Sequence, residues 1–199
     1  MEQQERLKKQ IAFALEADKE KLIERQTYLS GGERKENDAE HAWHLAVMAI
    51  LLAEHSNEKI DVLKTVTMVL LHDLVEIDAG DAYCYDEEAK KNQKEREEKA
   101  AARLYGMLPE DQAEKLLGIW REFEAWETPE AKFARTLDNF QPCVLNDASG
   151  GRSWIEHGIC LSQVLGRNER TAEGSETLWQ YQKENLILPH VEAGHLKNE

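Results

Sequence analysis

The chain of 199 residues is long enough for one domain with a single hydrophobic core. Apolar residues make up 41% of it and charged residues 32%, which is typical of a soluble globular protein and excludes a disordered one. The formal net charge of −14 argues against a partner that is a nucleic acid polymer, since a phosphate backbone needs a basic face. A single nucleotide is still allowed, because one local arginine and a metal ion can hold it.

Three further features predict a cytoplasmic protein that does not insert into a membrane. The longest apolar run, residues 45–53, has nine residues and is too short to cross a bilayer. The first ten residues lack the apolar core of a signal peptide. The three cysteines, Cys84, Cys143 and Cys160, form no C-x-x-C pair, so we expect reduced thiols and no disulfide.

Apolar periodicity predicts seven or eight helices and no confident strand. In chain order, the predicted helices cover 3–17, 37–55, a stretch from about 60 to Gly80, 86–105, 109–126, a stretch from 128 to a loop at 146–151, 153–165 and 175–186. Residues 21–29 are either a short helix or an extended segment, before a break at Gly31 and Gly32. Capping residues mark three helix starts, namely Asn37 with Glu40, Thr128 before Pro129, and Ser153 with Glu156.

These elements predict an all-α protein in which residues 1–199 form one domain. Its core covers about residues 20–185, and a polar C-terminal tail follows. The segment 86–105 is highly charged, with Glu95 and Lys99 one helical turn apart, so we expect a solvent-facing helix there.

Five ionisable residues crowd into the ten positions 72–81, directly after the apolar run 68–71: His72, Asp73, Glu76, Asp78 and Asp81. On a helix, Glu76 lies close to both His72 and Asp73. Burying such groups costs several kcal/mol each unless something pairs them. A divalent cation is the simplest partner, because imidazole and carboxylate are both good ligands for first-row metals. Asp78 is interpreted as a structural residue.

The order of His41, His72–Asp73 and Asp138 resembles the H…HD…D signature of the HD superfamily of metal-dependent phosphohydrolases. Three longer segments resemble its 5'-deoxynucleotidase-like branch: E-N-D-A-E-H at 36–41, H-D-L-V-E-I-D-A-G-D at 72–81 and A-R-T-L-D-N-F-Q-P at 134–142. A fourth, N-D-A-S-G-G-R-S-W-I-E-H-G at 146–158, resembles a bacterial subgroup of HD domain hydrolases. Together the matches cover about residues 20–185, so the resemblance implies an HD-type helical domain.

The resemblance implies that His41, His72, Asp73 and Asp138 bind one divalent metal ion. This ligand set suits Mn, Fe, Co, Ni or Zn. In such a site the ion lowers the pKa of a bound water molecule and polarises the phosphoryl group. His44, three residues after His41, is expected to pack behind the site and not to act as a ligand.

Three more roles follow from the resemblance. Glu76 corresponds to a proton donor or water-orienting acid/base, and Asp81 to a residue that bonds the sugar or assists catalysis. Arg25 corresponds to a phosphate-binding arginine upstream of the first histidine, with Arg34 as the alternative. Arg152 is interpreted as a structural ion-pair residue, and the role of His157 does not follow from the sequence.

The implied activity is that of a metal-dependent phosphomonoesterase acting on (deoxy)nucleoside 5'-monophosphates. One alternative is hydrolysis of another phosphate ester or of a pyrophosphate, because pocket loops set substrate choice. The other is a catalytically silent, metal-binding regulatory module. The presence of both Glu76 and Asp81 favours an enzyme, since a silent module would be free to lose them. The resemblance also implies a homodimer.

Overall fold

The computed structural model describes residues 2–81, 85 and 92–198; Cys84 and the first part of the helix predicted over 86–105 lie outside these ranges. The helices are α1 (Glu2–Ala17), α2 (Asp38–Leu52), α3 (Val62–Leu71), α4 (Glu76–Ala79), α5 (Gln93–Tyr105), α6 (Glu110–Ala125), α7 (Pro129–Ala148), α8 (Arg152–His157), α9 (Leu161–Arg167), α10 (Glu176–Tyr181) and α11 (Leu188–Glu192). The prediction of a mostly helical single domain is confirmed. In the described part of the chain, no helix is both long and apolar enough to cross a bilayer.

A short β-hairpin precedes α2, so the prediction of no strand is wrong at this point. Strand β1 (Glu24–Tyr28) pairs antiparallel with β2 (Lys35–Asn37). Of the two alternatives for residues 21–29, the extended one is therefore observed. The turn between the strands uses Gly32 at φ +75°, a conformation that favours glycine. The hairpin leads directly into the first turn of α2, which places its side chains beside that helix end.

The main core lies where α2, α3 and α7 pack together. Leu45, Met68 and Leu137, one from each of these helices, have no exposed surface. A smaller cluster around Tyr105 and Trp120 joins α5 to α6, with Phe13 of α1 packed against it. This packing brings the N-terminal turn of α2, the C-terminal end of α3 and the middle of α7 to one place.

The helix starts follow the predicted caps at two of three positions. Asn37 and Glu40 form a reciprocal capping box, and Thr128 accepts a hydrogen bond from the Ala131 amide. The predicted box at Ser153-x-x-Glu156 is wrong, because α8 already begins at Arg152. Gly158, at φ +62°, ends α8, so the single helix predicted to reach residue 165 is two helices, α8 and α9.

The C-terminal segment predicted as a polar tail packs onto the domain. Residues 182–187 form a π-helical turn, and α11 follows it. Leu196 is 2% exposed and belongs to the main core. The backbone of Lys197 exchanges hydrogen bonds of 2.8 and 3.2 Å with Leu161 and Ile159. These contacts fix the end of the chain against the start of α9.

Candidate metal centre and active-site cleft

The structure brings together the four side chains predicted as metal ligands. His41 lies in the first turn of α2, His72 and Asp73 open a 3-10 segment after α3, and Asp138 lies in the middle of α7. Asp138 Oδ1 is 3.2 Å from His41 Nε2 and 3.7 Å from His72 Nε2. Asp73 Oδ2 is 3.0 Å from His72 Nε2 and 3.9 Å from His41 Nε2. Both imidazole rings are therefore flanked by both carboxylates.

Hydrogen bonds to the other ring nitrogen orient both imidazoles. His72 Nδ1 lies 2.8 Å from the Val69 carbonyl oxygen, and His41 Nδ1 lies 3.1 Å from Oε1 of Gln141. In the neutral ring, with Nδ1 donating in each case, Nε2 carries the lone pair, and it faces the cluster. Gln141 is itself held by a 2.8 Å hydrogen bond from its Nε2 to Glu36. This support of the ring behind the ligand atom is usual in metal sites.

The charge around His72 fits a bound cation. Burial lowers the pKa of His72, but the charges of Asp73 and Asp138 outweigh burial and raise the pKa to about 10. His72 Nε2 is buried and has no hydrogen-bond partner of good geometry among the described residues. The site thus stabilises positive charge at His72 Nε2, which faces the carboxylate oxygens of Asp73 and Asp138. Two imidazoles and two carboxylates are a donor set that suits a first-row divalent metal ion.

Arg25 of β1 lines the cleft beside this centre and is surrounded by carboxylates. Its Nη1 donates to Asp73 Oδ2 at 2.8 Å and to Asp38 Oδ1 at 3.1 Å, and its Nε lies 3.5 Å from Glu36 Oε1. Sequence reasoning had treated Asp38 and Glu36 only as part of a motif at a helix start. Their burial could not be read from the sequence, because acidic residues are common in the first turn of any helix.

Glu76 and Asp81, the two predicted catalytic residues, also line this cleft. Burial, followed by the charges of Asp73 and Asp38, raises the pKa of Glu76 well above its ordinary value. Burial likewise raises the pKa of Asp81. Glu76 is therefore an acid that keeps its proton to higher pH than an exposed glutamate does.

The cleft in front of the centre has a volume of about 440 Å³, enough for a ligand of nucleotide size. Two arginines that sequence reasoning missed, Arg135 of α7 and Arg167 of α9, form part of its wall. The only signal for Arg135 was its position three residues before Asp138, which puts it on the same helix face. Arg34, the alternative to Arg25, is exposed, forms an ion pair with Glu40 and is not part of the cleft wall described here.

Three other interpretations have clear outcomes. His44 lies behind the centre, with its Nδ1 3.2 Å from Nε2 of Gln141. Asp78 forms an ion pair with Arg103, in line with a structural role. Arg152 has structural contacts, but they are not the predicted ion pair. Its guanidinium donates a hydrogen bond to the Gly32 carbonyl and lies 4.3 Å from the centre of the Tyr28 ring.

Comparison with known proteins identifies the class. Residues 17–179 match the family model described as HD domain. The chain is 45% identical to a bacterial protein of known structure, a predicted metal-dependent phosphohydrolase from Magnetospirillum magnetotacticum MS-1, with a TM-score of 0.91 over 96% of this chain and 95% of that one. The helical domain, with two histidines and two aspartates at its centre, agrees with both of these matches. The chain belongs to the HD domain family of metal-dependent phosphohydrolases.

Several more distant relatives carry a specific activity in their names. The chain is 32% identical over 106 residues to 5'-deoxynucleotidase HDDC2 of Homo sapiens and 34% identical over 107 residues to the Bos taurus protein. It is 28% identical over 115 residues to 5'-deoxynucleotidase hdd1 of Schizosaccharomyces pombe. The match to the human protein covers 53% of this chain and 50% of that protein. This chain therefore spans about half the length of the curated relatives that it matches.

Proposed function

We propose that this protein is a phosphomonoesterase that releases phosphate from (deoxy)nucleoside 5'-monophosphates. The observation that carries the proposal is the convergence of His41, His72, Asp73 and Asp138 at one end of a cleft of about 440 Å³. The 5'-deoxynucleotidase names of the distant relatives support the choice of substrate.

In the proposed site, the two imidazole Nε2 atoms and the carboxylates of Asp73 and Asp138 would hold one divalent ion. When bound, such an ion lowers the pKa of water and stabilises negative charge on phosphoryl oxygens. The residues behind these side chains have a separate task. Val69 and Gln141 fix the imidazole rings, and Arg25 fixes the carboxylate of Asp73, so that the donor atoms face one point.

Glu76 is proposed as the general acid. Hydrolysis forms a bond from a water oxygen to phosphorus and breaks the bond from phosphorus to the nucleoside 5'-oxygen. The leaving oxygen departs more readily if it receives a proton as the bond breaks. The raised pKa of Glu76 keeps a proton available on its carboxyl group, and its position in the cleft wall puts it within reach of a bound ester.

Asp81 and Arg25 are proposed to contact the substrate. Asp81 lies in the cleft wall after α4 and offers a carboxyl group to a sugar hydroxyl. Arg25 lies on β1, where its guanidinium touches Asp73 and lines the cleft. Arginine suits this task because its fork of N–H groups matches the oxygens of a phosphate.

A phosphate-release assay on a panel of nucleotides tests the proposal. The purified protein, with Mn or Co added and metal content measured, is expected to act faster on deoxynucleoside 5'-monophosphates than on the 3'-isomers. If the protein prefers another phosphate ester or a pyrophosphate, it is still a phosphohydrolase, but the proposed substrate is wrong. Absence of turnover on every compound, with the metal site full, would favour the silent regulatory module. The homodimer stays a prediction, which sedimentation equilibrium can check.

A further inference from the structure

Two guanidinium groups lie beside the proposed metal centre at Asp138, whereas Arg25 contacts Asp73. Arg167 Nη2 is 3.4 Å and Arg135 Nη1 is 4.0 Å from Oδ2 of Asp138. The other oxygen of the same carboxylate, Oδ1, faces the imidazole nitrogens of His41 and His72. The width of one carboxylate group therefore separates these two cations from the proposed position of the metal ion.

The protein holds Arg135 in a defined orientation. Its Nη2 donates to Glu124 Oε1 at 2.6 Å, its Nε lies 3.4 Å from the Phe123 carbonyl oxygen, and its guanidinium lies 4.1 Å from the centre of the Phe123 ring. The ring of Trp126 also lies 5.4 Å from the guanidinium, so these contacts hold one edge of the group between aromatic neighbours and leave Nη1 directed at Asp138. Arg167, the last residue of α9, has a side chain that is 37% exposed and reaches the same oxygen.

The charge balance of the cleft calls for such cations. The described residues of its wall include six carboxyl groups and four arginine or lysine side chains. The charge of Arg25 is already shared by Glu36, Asp38 and Asp73. A phosphate monoester carries up to two negative charges, and a cleft rich in carboxylates repels it. The proposed metal ion offsets part of this repulsion, and Arg135 and Arg167 add positive charge next to the place where the phosphoryl group reacts.

We propose that Arg135 and Arg167 form a clamp that binds the phosphate group of the substrate next to Asp138. The clamp rests on the proposed function, since it places the phosphate at the same centre. Two arginines can donate several charge-assisted hydrogen bonds to phosphate oxygens, which fixes the orientation of the group as well as its charge. Arg135 is the rigid member, and Arg167 closes the pair from α9.

Binding of inorganic phosphate, measured by calorimetry on the full chain loaded with Mn, tests the clamp without relying on turnover. Arg167→Gln is expected to weaken phosphate binding roughly ten- to hundredfold, the range for hydrogen bonds to a charged group. Arg167→Lys, which keeps the charge but loses the fork, should give a smaller loss. Arg135→Gln should weaken binding in the same way, with its melting temperature measured because it also contacts Phe123 and Glu124.

Arg170→Gln is the matched control. Arg170 is also stacked on an aromatic ring, 4.2 Å from the centre of Trp126, and pairs with Glu173, but it is not part of the described cleft wall. Its phosphate affinity should stay within about twofold of wild type. If Arg167 only neutralises Asp138, then Arg167→Gln lowers metal affinity and leaves phosphate affinity unchanged once the metal site is saturated. That result, or the lack of measurable phosphate binding by the metal-loaded wild type, would overturn the clamp.

The two proposals can fail separately. If the wild type hydrolyses nucleotides and both Arg167→Gln and Arg135→Gln bind phosphate normally, the proposed function is supported and the clamp is contradicted. If the wild type binds phosphate through both arginines but hydrolyses no phosphate ester, the clamp is supported and the proposed function is contradicted.

Discussion

His72 Nε2 and Asp73 Oδ2 lie 3.0 Å apart although the two residues are neighbours in the chain. Side chains of adjacent residues on a helix usually diverge, because they project about 100° apart. The 3-10 turn that begins at His72 separates adjacent side chains by about 120°, so it does not bring the pair together. Their approach is fixed by side-chain contacts, since the Val69 carbonyl holds the imidazole ring and Arg25 holds the carboxylate. His72 Nε2 and Asp73 Oδ2 lie side by side without a hydrogen bond of good geometry between them. This is the arrangement expected of two atoms that bind the same metal ion.

Loss of either residue should abolish metal binding. We expect His72→Ala and Asp73→Ala to contain far less than one metal ion per chain by elemental analysis. Both should melt at a lower temperature, because an ion bound only to the folded state stabilises it, by about 4 kcal/mol at a thousandfold excess over Kd. His44→Ala, which changes a histidine behind the centre, should keep its metal. Wild-type metal content in both ligand variants would contradict the site.

Removing the carboxyl group of Glu76 should impair the reaction and spare binding. Glu76→Gln is expected to lower kcat by on the order of 10²–10⁴, the usual contribution of a general acid. KM should change little, because the proton moves only in the transition state. Steady-state kinetics, metal content and melting temperature together separate three roles. A merely structural Glu76 predicts lower stability with kcat intact, and a metal-ligand Glu76 predicts loss of metal. Glu98→Gln, at a partly exposed residue of α5 paired with Arg121, is the control.

The stability of the protein should depend on the titration of Glu20. Burial, followed by the charge of Asp73, raises the pKa of Glu20 to about 8. An unfolded glutamate has a pKa of about 4.3, so between these values the folded state binds more protons, and stability falls as the pH rises. Glu20→Gln removes this titration. Its free energy of unfolding relative to wild type should therefore increase between pH 5 and pH 8, by on the order of 3–4 kcal/mol.

Urea unfolding of both proteins at the two pH values measures that difference. The control is Glu24→Gln, which changes an exposed glutamate four positions further along the chain. A constant difference between wild type and Glu20→Gln across this range would show that Glu20 is ionised in the folded protein throughout.

The C-terminal segment should contribute strongly to stability. Leu196 is 2% exposed within the main core, so Leu196→Ala leaves a cavity and should cost about 2–5 kcal/mol in the free energy of unfolding. Leu22→Ala changes a leucine that is 84% exposed and should stay within about 0.5 kcal/mol of wild type. Chemical denaturation of the two variants gives the comparison. Equal stabilities would mean that the segment is not docked in solution.

The sequence by itself determined the helical class and the identity of the chemical groups. Apolar periodicity and caps such as Asn37–Glu40 act within one or two turns, so the helices around them can be recognised without knowledge of the rest of the chain. The H…HD…D order and its neighbouring residues indicated the family, which the comparisons confirm. Local signals failed where backbone geometry competes with them, as at Gly158, whose left-handed conformation ends α8 early.

Only the tertiary structure decided which side chains meet. His41 and Asp138 are 97 residues apart in sequence and 3.2 Å apart in space, and that contact depends on how α2 and α7 pack. The same holds for the carboxylates around Arg25 and for Arg167, which has no local pattern that distinguishes it from a surface residue. For Arg135, the spacing to Asp138 indicates a shared helix face but not the cleft that this face lines. A helical period reports which face of an element is apolar, but the partner of that face depends on the packing of all elements at once. The charge and pKa of the site follow from that packing.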